Sequence, residues 1–491
     1  MGKRKRKPLD QDDSSTLGLN GEKKRKTVNG YQHCKASTMP IQIIVGTYEK
    51  VLHGIQATIN QEGGDKPEQG PIVEFADTFL LSPHGSAIRC LAVSPPSNSD
   101  NSRAQKAILA SGSSDQTINL YHISREAPLR QKNDDPGMPT LTGNKVKENP
   151  RNRELGSLQH HGGSINALYF PTRSKLLSAA EDNTIAVARS RDWTVLSTIK
   201  APIPKAHGRP SGDTAPLGGT PSGINDFAVH PSMKLMVSVG KGEKCMRLWN
   251  LVTGKKAGVL NFERDLLQGV GEGRWASGEG RKVKWNSLGE EFVVAFESGC
   301  LVYGMLHYQD GLSDDDATNE VLAISTEDGR VIFYSSSSFD DTEMTKVGST
   351  TGIPTCEPIC QLGGVAEGLI GRIKDFEILK SPLSNSWIVV TGSSDGAIRV
   401  WHIAGSEFKN KDLDNEETVR KRMGPPVNGK PITKNSAPVQ SPKEKQVGRL
   451  LGTYEAGNRI TCLKAFVMTS TEQAAATDSQ NDTANESDSA K

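Results

Sequence analysis

The chain has no run of about 18 consecutive apolar residues, which excludes a hydropathy-defined transmembrane helix. No apolar stretch follows its basic start, Met1-Gly-Lys-Arg-Lys-Arg-Lys7, so that start does not read as a secretory signal. A disulfide framework is missing as well, because seven cysteines, an odd number, are scattered over 491 residues. Together these absences predict an intracellular protein. Apolar residues are scarce too, 35% against 24% charged, a profile that suits a globular body carrying polar tails and loops.

Catalytic signatures are equally absent. There is no H-E-x-x-H, no G-x-x-x-x-G-K-[ST] and no pair of C-x-x-C motifs. The closest thiols, Cys356 and Cys360, have no second ligand pair to complete a tetrahedral zinc site and read as two reduced thiols on a loop. His160 and His161 could suggest a ligand or base, but no partner constellation accompanies them. Gly240 and Gly242 fall in a hairpin turn, and a phosphate cradle there would need a following helix. The expectation is a protein without catalysis, metal, cofactor or small-molecule substrate.

What is present is uneven charge. Residues 1–40 carry Lys3, Arg4, Lys5, Arg6, Lys7, Lys23, Lys24, Arg25, Lys26 and Lys35 against four acids, a balance of +6. Residues 469–491 carry −4, so with +2 overall the body between is neutral. A neutral body is not one large nucleic-acid-binding surface. The clusters Lys3–Lys7 and Lys23–Lys26, with a polar spacer, read as a two-part nuclear import signal or a nucleic-acid-binding arm. Phosphate neutralisation by such an arm would be strong but blind to sequence.

Length alone would suggest about three domains, but internal repeats argue for a single repeat architecture. An apolar strand, a turn with Asp and an alternating strand ending in an aromatic recur. Asp115 stands six residues before Tyr121, Asp395 six before Trp401 and Asp328 six before Tyr334. Weaker copies surround Asp182, Trp249 and residues 292–303, with Ala188 where an aromatic is expected and Ser298 in place of the turn Asp. Alternation around tight turns predicts hairpins, and helical spacing is scarce. A further strand-like stretch precedes most hairpins, at 87–93, 164–170, 223–229, 281–285 and 372–378, and His84-Gly85 and His160-His-Gly162 precede two of them.

This is the grammar of WD repeats, four-stranded blades set radially so that only short edges remain. The turn Asp accepts backbone N–H groups and, in such repeats, holds the loop His; His84, Ser111, Asp115 and Tyr121 form one expected set. Asp182, Trp249, Asp328, Thr391, Asp395 and Trp401 are the other expected blade-structural residues. Residues 43–54 read as a hairpin lacking an inner strand, and 459–467 as an inner strand lacking a hairpin. Joining them closes the ring. The expected architecture is an all-β, seven-bladed WD-repeat β-propeller over 41–468, with a disordered basic arm at 1–40 and a disordered polar tail at 469–491. The sixth blade, around 321–334, has no clear inner strand, displaced by the acidic loop starting at Asp310.

At the level of motifs, residues 45–54, 238–254 and 459–463 resemble the p21-activated-kinase-interacting WD-repeat family, whose fungal branch includes the Mak-eleven ribosome-assembly factor. The resemblance covers about residues 41–468, interrupted by insertions at 124–154, 201–221 and 404–446. It implies a scaffold in nucleolar assembly of the large ribosomal subunit and pre-rRNA processing, with pre-60S particle proteins as partners and the arm serving nuclear entry or RNA contact. For some members it implies restraint of a p21-activated kinase, a signalling-adaptor role that stays open as the alternative. A cullin-ligase receptor role fits less well, because Trp249 is followed by Asn-Leu-Val and Trp401 by His-Ile-Ala rather than by the Asp-x-Arg of that class.

Overall fold

The computed structural model describes residues 37–61, 72–96, 106–127, 149–204, 222–273, 276–304, 321–335, 358–369, 371–382, 384–408 and 445–469. The basic arm, the tail beyond Thr469, Cys356 and most of the three insertions lie outside these residues. The described chain is nearly all strand.

Strands β1 (Ser37–Thr47), β2 (Leu52–Gln61) and β3 (Ile72–Leu81) form an antiparallel meander. The second sheet is β4 (Ile88–Val93), β5 (Lys106–Ser113), β6 (Ile118–Ser124) and β7 (Arg153–Leu158). The third is β8 (Ile165–Thr172), β9 (Lys175–Ala180), β10 (Thr184–Arg189) and β11 (Val195–Lys200). The fourth is β12 (Ile224–Val229), β13 (Leu235–Gly240), β14 (Cys245–Asn250) and β15 (Lys255–Asn261). A short helix, α1 (Arg264–Gly269), leads to the three-stranded fifth sheet, β16 (Lys282–Trp285), β17 (Glu291–Ala295) and β18 (Cys300–Gly304). The sixth holds β19 (Val321–Ser325), β20 (Arg330–Ser335) and β21 (Pro358–Gly363). The seventh holds β22 (Ile373–Lys380), β23 (Ser386–Ser393), β24 (Ala397–Ala404) and β25 (Arg449–Glu455). Finally β26 (Ile460–Val467) returns to the first sheet and pairs antiparallel with β1, from Ile41 opposite Val467 to Thr47 opposite Ile460.

Strands in such an arrangement are apolar on both faces because each sheet is packed on both sides. Ile41, Ile43 and Val45 of β1 join a cluster with Ile388, Val390 and Ile398 of the seventh sheet. Ile44, on the opposite face, packs with Ile88, Leu91 and Leu109 of the second. Equivalent clusters fill the gaps between sheets two and three, three and four, four and five, and six and seven. The near-continuous apolar runs in β1, β5 and β23 follow from this burial on both faces. Close approach also needs small residues: a Cβ on Gly112 would stand 2.7 Å from Ile165 Cγ2 and 2.8 Å from Cys90 Sγ. Only glycine lets the next sheet's first strand come that near.

Four expectations change. The first strand begins at Ser37 rather than near Ile41, because the pairing with β2 extends back to Ser37 opposite Gln61. Thr469, grouped with the polar tail by composition, bridges Glu126, while Met468 beside it is buried. Cys360 is not on a loop but buried in β21, and burial pushes its thiol up to about 11. Gly240 ends strand β13, and it is Gly242 that takes a positive φ of 72° in the turn. Six of the seven sheets show an inner strand among the described residues. In the sixth, β19 and β20 are the repeat hairpin and β21 the outer strand, and residues 305–320, where its inner strand was in doubt, lie outside them.

Candidate functional site

The polar side chains singled out by the repeats meet at the hairpin turns. In the second sheet His84, in the loop entering β4, lies between β5 and the turn that follows it. Its Nδ1 is 3.2 Å from Asp115 Oδ2, and its Nε2 is 2.8 Å from Ser111 Oγ. With the ring proton on Nδ1, the imidazole donates to the carboxylate and accepts from the serine hydroxyl. Asp115 Oδ2 also accepts the Gly85 N–H at 2.8 Å, and Oδ1 accepts the Thr117 N–H at 3.0 Å and its hydroxyl at 2.6 Å. Burial lowers the His84 pKa below the usual histidine range, keeping the ring neutral. Partial burial would raise the Asp115 pKa, but the donors from Thr117, Gly85 and His84 outweigh it and hold the carboxyl below its ordinary range. Tyr121, the expected aromatic of this set, is buried, and burial pushes its phenol up to about 12.

The third sheet repeats the arrangement. His161, the second of the adjacent pair, reaches Asp182 Oδ2 at 3.1 Å and Ser178 Oγ at 2.7 Å, and Gly162 N–H donates to Asp182 at 2.9 Å. His160 also reaches Ser178 Oγ, at 3.0 Å, and stacks against His161 at 4.4 Å between ring centroids. Both imidazoles meet the same Ser178 hydroxyl, and His161 also holds the Asp182 carboxylate of the turn. Both are spent on bracing.

The other sheets vary the theme. In the seventh, Trp401 Nε1 donates to Thr391 Oγ1 at 3.3 Å, and Asp395 pairs not with a histidine but with Arg399, at 3.1 Å. Gly371 sits where the loop passes Asp395, leaving no side chain to fill that role. In the fourth, Trp249 Nε1 donates to Ser238 Oγ at 2.8 Å, and Glu243 forms a buried bidentate pair with Arg247. Asp328 in the sixth turn pairs with Arg330 Nε at 2.7 Å and accepts the Thr326 hydroxyl.

Sequence reasoning missed Glu243, Glu272 and Asp77. Glu243 carried a readable signal: it stands six residues before Trp249 with Arg four residues after it, the same steps that link Asp395, Arg399 and Trp401. Glu272 supplies, from the preceding loop, the carboxylate that Ser298 cannot, accepting the N–H groups of Glu297 and Ser298 at 3.0 Å each. Asp77 of β3 lies between His53 Nε2, at 3.0 Å, and the hydroxyl of Tyr454 on β25, tying the first sheet to the seventh.

These contacts predict unequal effects. Asp115→Ala is expected to lower unfolding stability by about 1–3 kcal/mol, because it strips partners from a buried imidazole and two backbone donors. Asp395→Ala should cost less, about 1 kcal/mol or below, because its side chain is 37% exposed against 18% for Asp115 and water replaces part of the loss. Urea unfolding of both variants checks the order; equal losses would contradict it.

Among the described residues no group of three or more His, Cys, Asp or Glu is placed to hold a metal ion, and no helix is long and apolar enough to cross a membrane. Residues 77–122 and 152–187 match the family described as WD domain, G-beta repeat, the stretches that contain the two histidine-braced sets. The chain is 26% identical to the p21-activated protein kinase-interacting protein 1-like of Xenopus laevis, over 74% of each chain. It is 25% identical to Protein MAK11 of Saccharomyces cerevisiae, over 74% of this chain and 78% of that one. It is 24% identical to Shk1 kinase-binding protein 15 of Schizosaccharomyces pombe, over 60% of this chain and 68% of the relative. With its Asp-turn hairpins and its sheets packed face to face, the chain is an all-β WD-repeat propeller, similar over about three quarters of its length to the p21-activated-kinase-interacting and MAK11 proteins.

Proposed function

We propose that the protein is a non-enzymatic scaffold in nucleolar assembly of the large ribosomal subunit and in pre-rRNA processing, built on seven blades, one for each sheet. The observation that carries the non-enzymatic part is where the polar side chains go. Histidines, carboxylates and hydroxyls that could be arranged into a triad on paper are consumed in sets that hold one another and backbone N–H groups. The large-subunit role draws its support from the similarity to MAK11, which extends over about three quarters of the chain. In this reading, the propeller binds particle proteins and the arm serves nuclear and nucleolar entry. A second reading, a signalling adaptor that binds and restrains a p21-activated kinase, is favoured by the names of several relatives.

Purification of the tagged chain at moderate salt separates the two. Large-subunit precursor RNA and proteins are expected to accompany it. Cytoplasmic residence with a kinase as its stable partner and no precursor RNA would decide for the adaptor. Removing residues 1–30 takes away nine of the ten arm cations and should reduce nuclear accumulation without unfolding the chain. An unrelated nuclear signal should then restore precursor association. Weak association with a shallower salt dependence after that rescue would instead show that the arm grips RNA phosphates.

A further inference from the structure

The turns between the second and third strands of each repeat share one end of the sheets with the loops that enter the inner strands. Charges on this end are matched across neighbouring sheets. Glu181 lies 4.0 Å from Arg89 on one side and 3.9 Å from Lys241 on the other. Arg281 lies 3.5 Å from Glu279 and 3.3 Å from Glu297. Arg372 pairs with Glu327 of the sixth sheet's turn at 2.6 Å. Deeper along the inner strands, Lys282 faces Asp226 at 3.8 Å and Lys464 faces Glu377 at 2.6 Å.

The pattern breaks where the seventh sheet meets the first. Lys374, near the start of β22, and Arg459, just before β26, have no carboxylate partner among the described residues. Arg459 instead lies over the ring of Tyr48, 5.9 Å from its centroid, and the Tyr48 N–H donates to the Arg459 carbonyl at 2.9 Å. Tyr48 is 62% exposed although its neighbours in β1 are buried. Burial first, and then the proximity of Arg372 and Arg459, lowers the Lys374 pKa, and the opposing charge of Glu327 offsets only part of this. An aromatic ring under a guanidinium fixes its plane and leaves its N–H fork free for a carboxylate.

We propose that this seam, built from Lys374, Arg459 and Tyr48, is a docking point for a short acidic peptide segment of a protein partner. A peptide fits better than RNA for a reason of extent. The cations without an ion pair form a spot rather than a stripe, bounded by Glu327, which pairs with Arg372 and acts on Lys374, and by Glu49, next to Tyr48 in the chain. One or two carboxylates entering the spot gain charge-assisted hydrogen bonds, whereas a continuous chain of phosphates would meet those flanking acids. The proposal deepens the scaffold reading by giving the propeller a protein-binding site, and purified components test it independently of ribosome precursors.

The experiment is fluorescence anisotropy of the purified full chain with a labelled Asp-Glu-Gly repeat peptide, its Asn-Gln-Gly counterpart and a labelled oligouridine. The acidic peptide should bind and the amide peptide should not. Pairing Lys374→Glu with Arg459→Glu should weaken the acidic peptide by about tenfold or more. Lys175→Glu, at the opposite end of the third sheet, should leave it unchanged, and Tyr48→Ala should weaken it with all charges retained. The result is overturned if the double variant, melting as the parent does, binds the acidic peptide equally well, or if Lys175→Glu weakens it as much. Tighter oligouridine binding that the double variant abolishes would overturn it in favour of RNA.

Discussion

Deleting residues 458–491 is expected to leave no stably folded chain, whereas deleting 471–491 should leave the melting transition where it is. The contrast follows from β26. Ile460 and Leu463 are fully buried, and Phe466 and Met468 are 6% and 4% exposed. Burying each such side chain contributes about 1.5–3 kcal/mol, so the four together contribute on the order of 6–12 kcal/mol, similar to the whole stability of an ordinary domain. The same deletion strips β1 of its partner and leaves open edges. Removing 471–491 spares β26 and the bridge between Thr469 and Glu126. Thermal melts and gel filtration of the two truncations check this. If both melt like the intact chain, the C-terminal strand does not hold the structure closed.

Asp77→Ala should be the most damaging single substitution at the same seam, costing about 2–5 kcal/mol by removing the carboxylate that two buried donors share. Its carboxylate receives the His53 ring and the Tyr454 hydroxyl, residues on strands of two different sheets. Burial lowers the His53 pKa, so the ring is neutral and donates a hydrogen bond rather than forming an ion pair. Asp77→Asn keeps one oxygen acceptor and should lose less. Tyr454→Phe combined with Asp77→Ala should cost less than the sum of the two alone, because both remove the same bond. Equilibrium urea unfolding of these variants measures each term. Strict additivity would mean that Asp77 and Tyr454 do not act together.

How much of this was legible depended on distance along the chain. Asp115 and Tyr121 lie on one hairpin, so their spacing of six is imposed by local pairing and repeats wherever the hairpin does. The partnership of β1 and β26 was legible for another reason: each half carried a pattern that was incomplete without the other. Asp77 and Tyr454 are separated by 377 residues and belong to no repeated spacing, so nothing local announces them. Glu272 escaped notice because its loop is reached through α1, the short helix inserted where other sheets have a plain connection. Glu243 was hidden only by chemistry, since one extra methylene lets a glutamate serve with an arginine where the repeat elsewhere uses an aspartate.

The pairing of β1 with β26 also sets a timetable for biosynthesis. The first strand leaves the ribosome more than four hundred residues before its partner, a wait of about 20–80 s at ~5–20 residues per second. During translation its amides and carbonyls on one side have no native hydrogen-bond partners, and Ile41, Ile43 and Val45 await both β26 and the seventh sheet. Middle sheets pair with neighbours already made, but the first must be held soluble and unpaired until the last segment emerges. The nascent chain therefore presents its most apolar strand edge for nearly the whole of synthesis, and chaperone demand should concentrate at its beginning rather than its end.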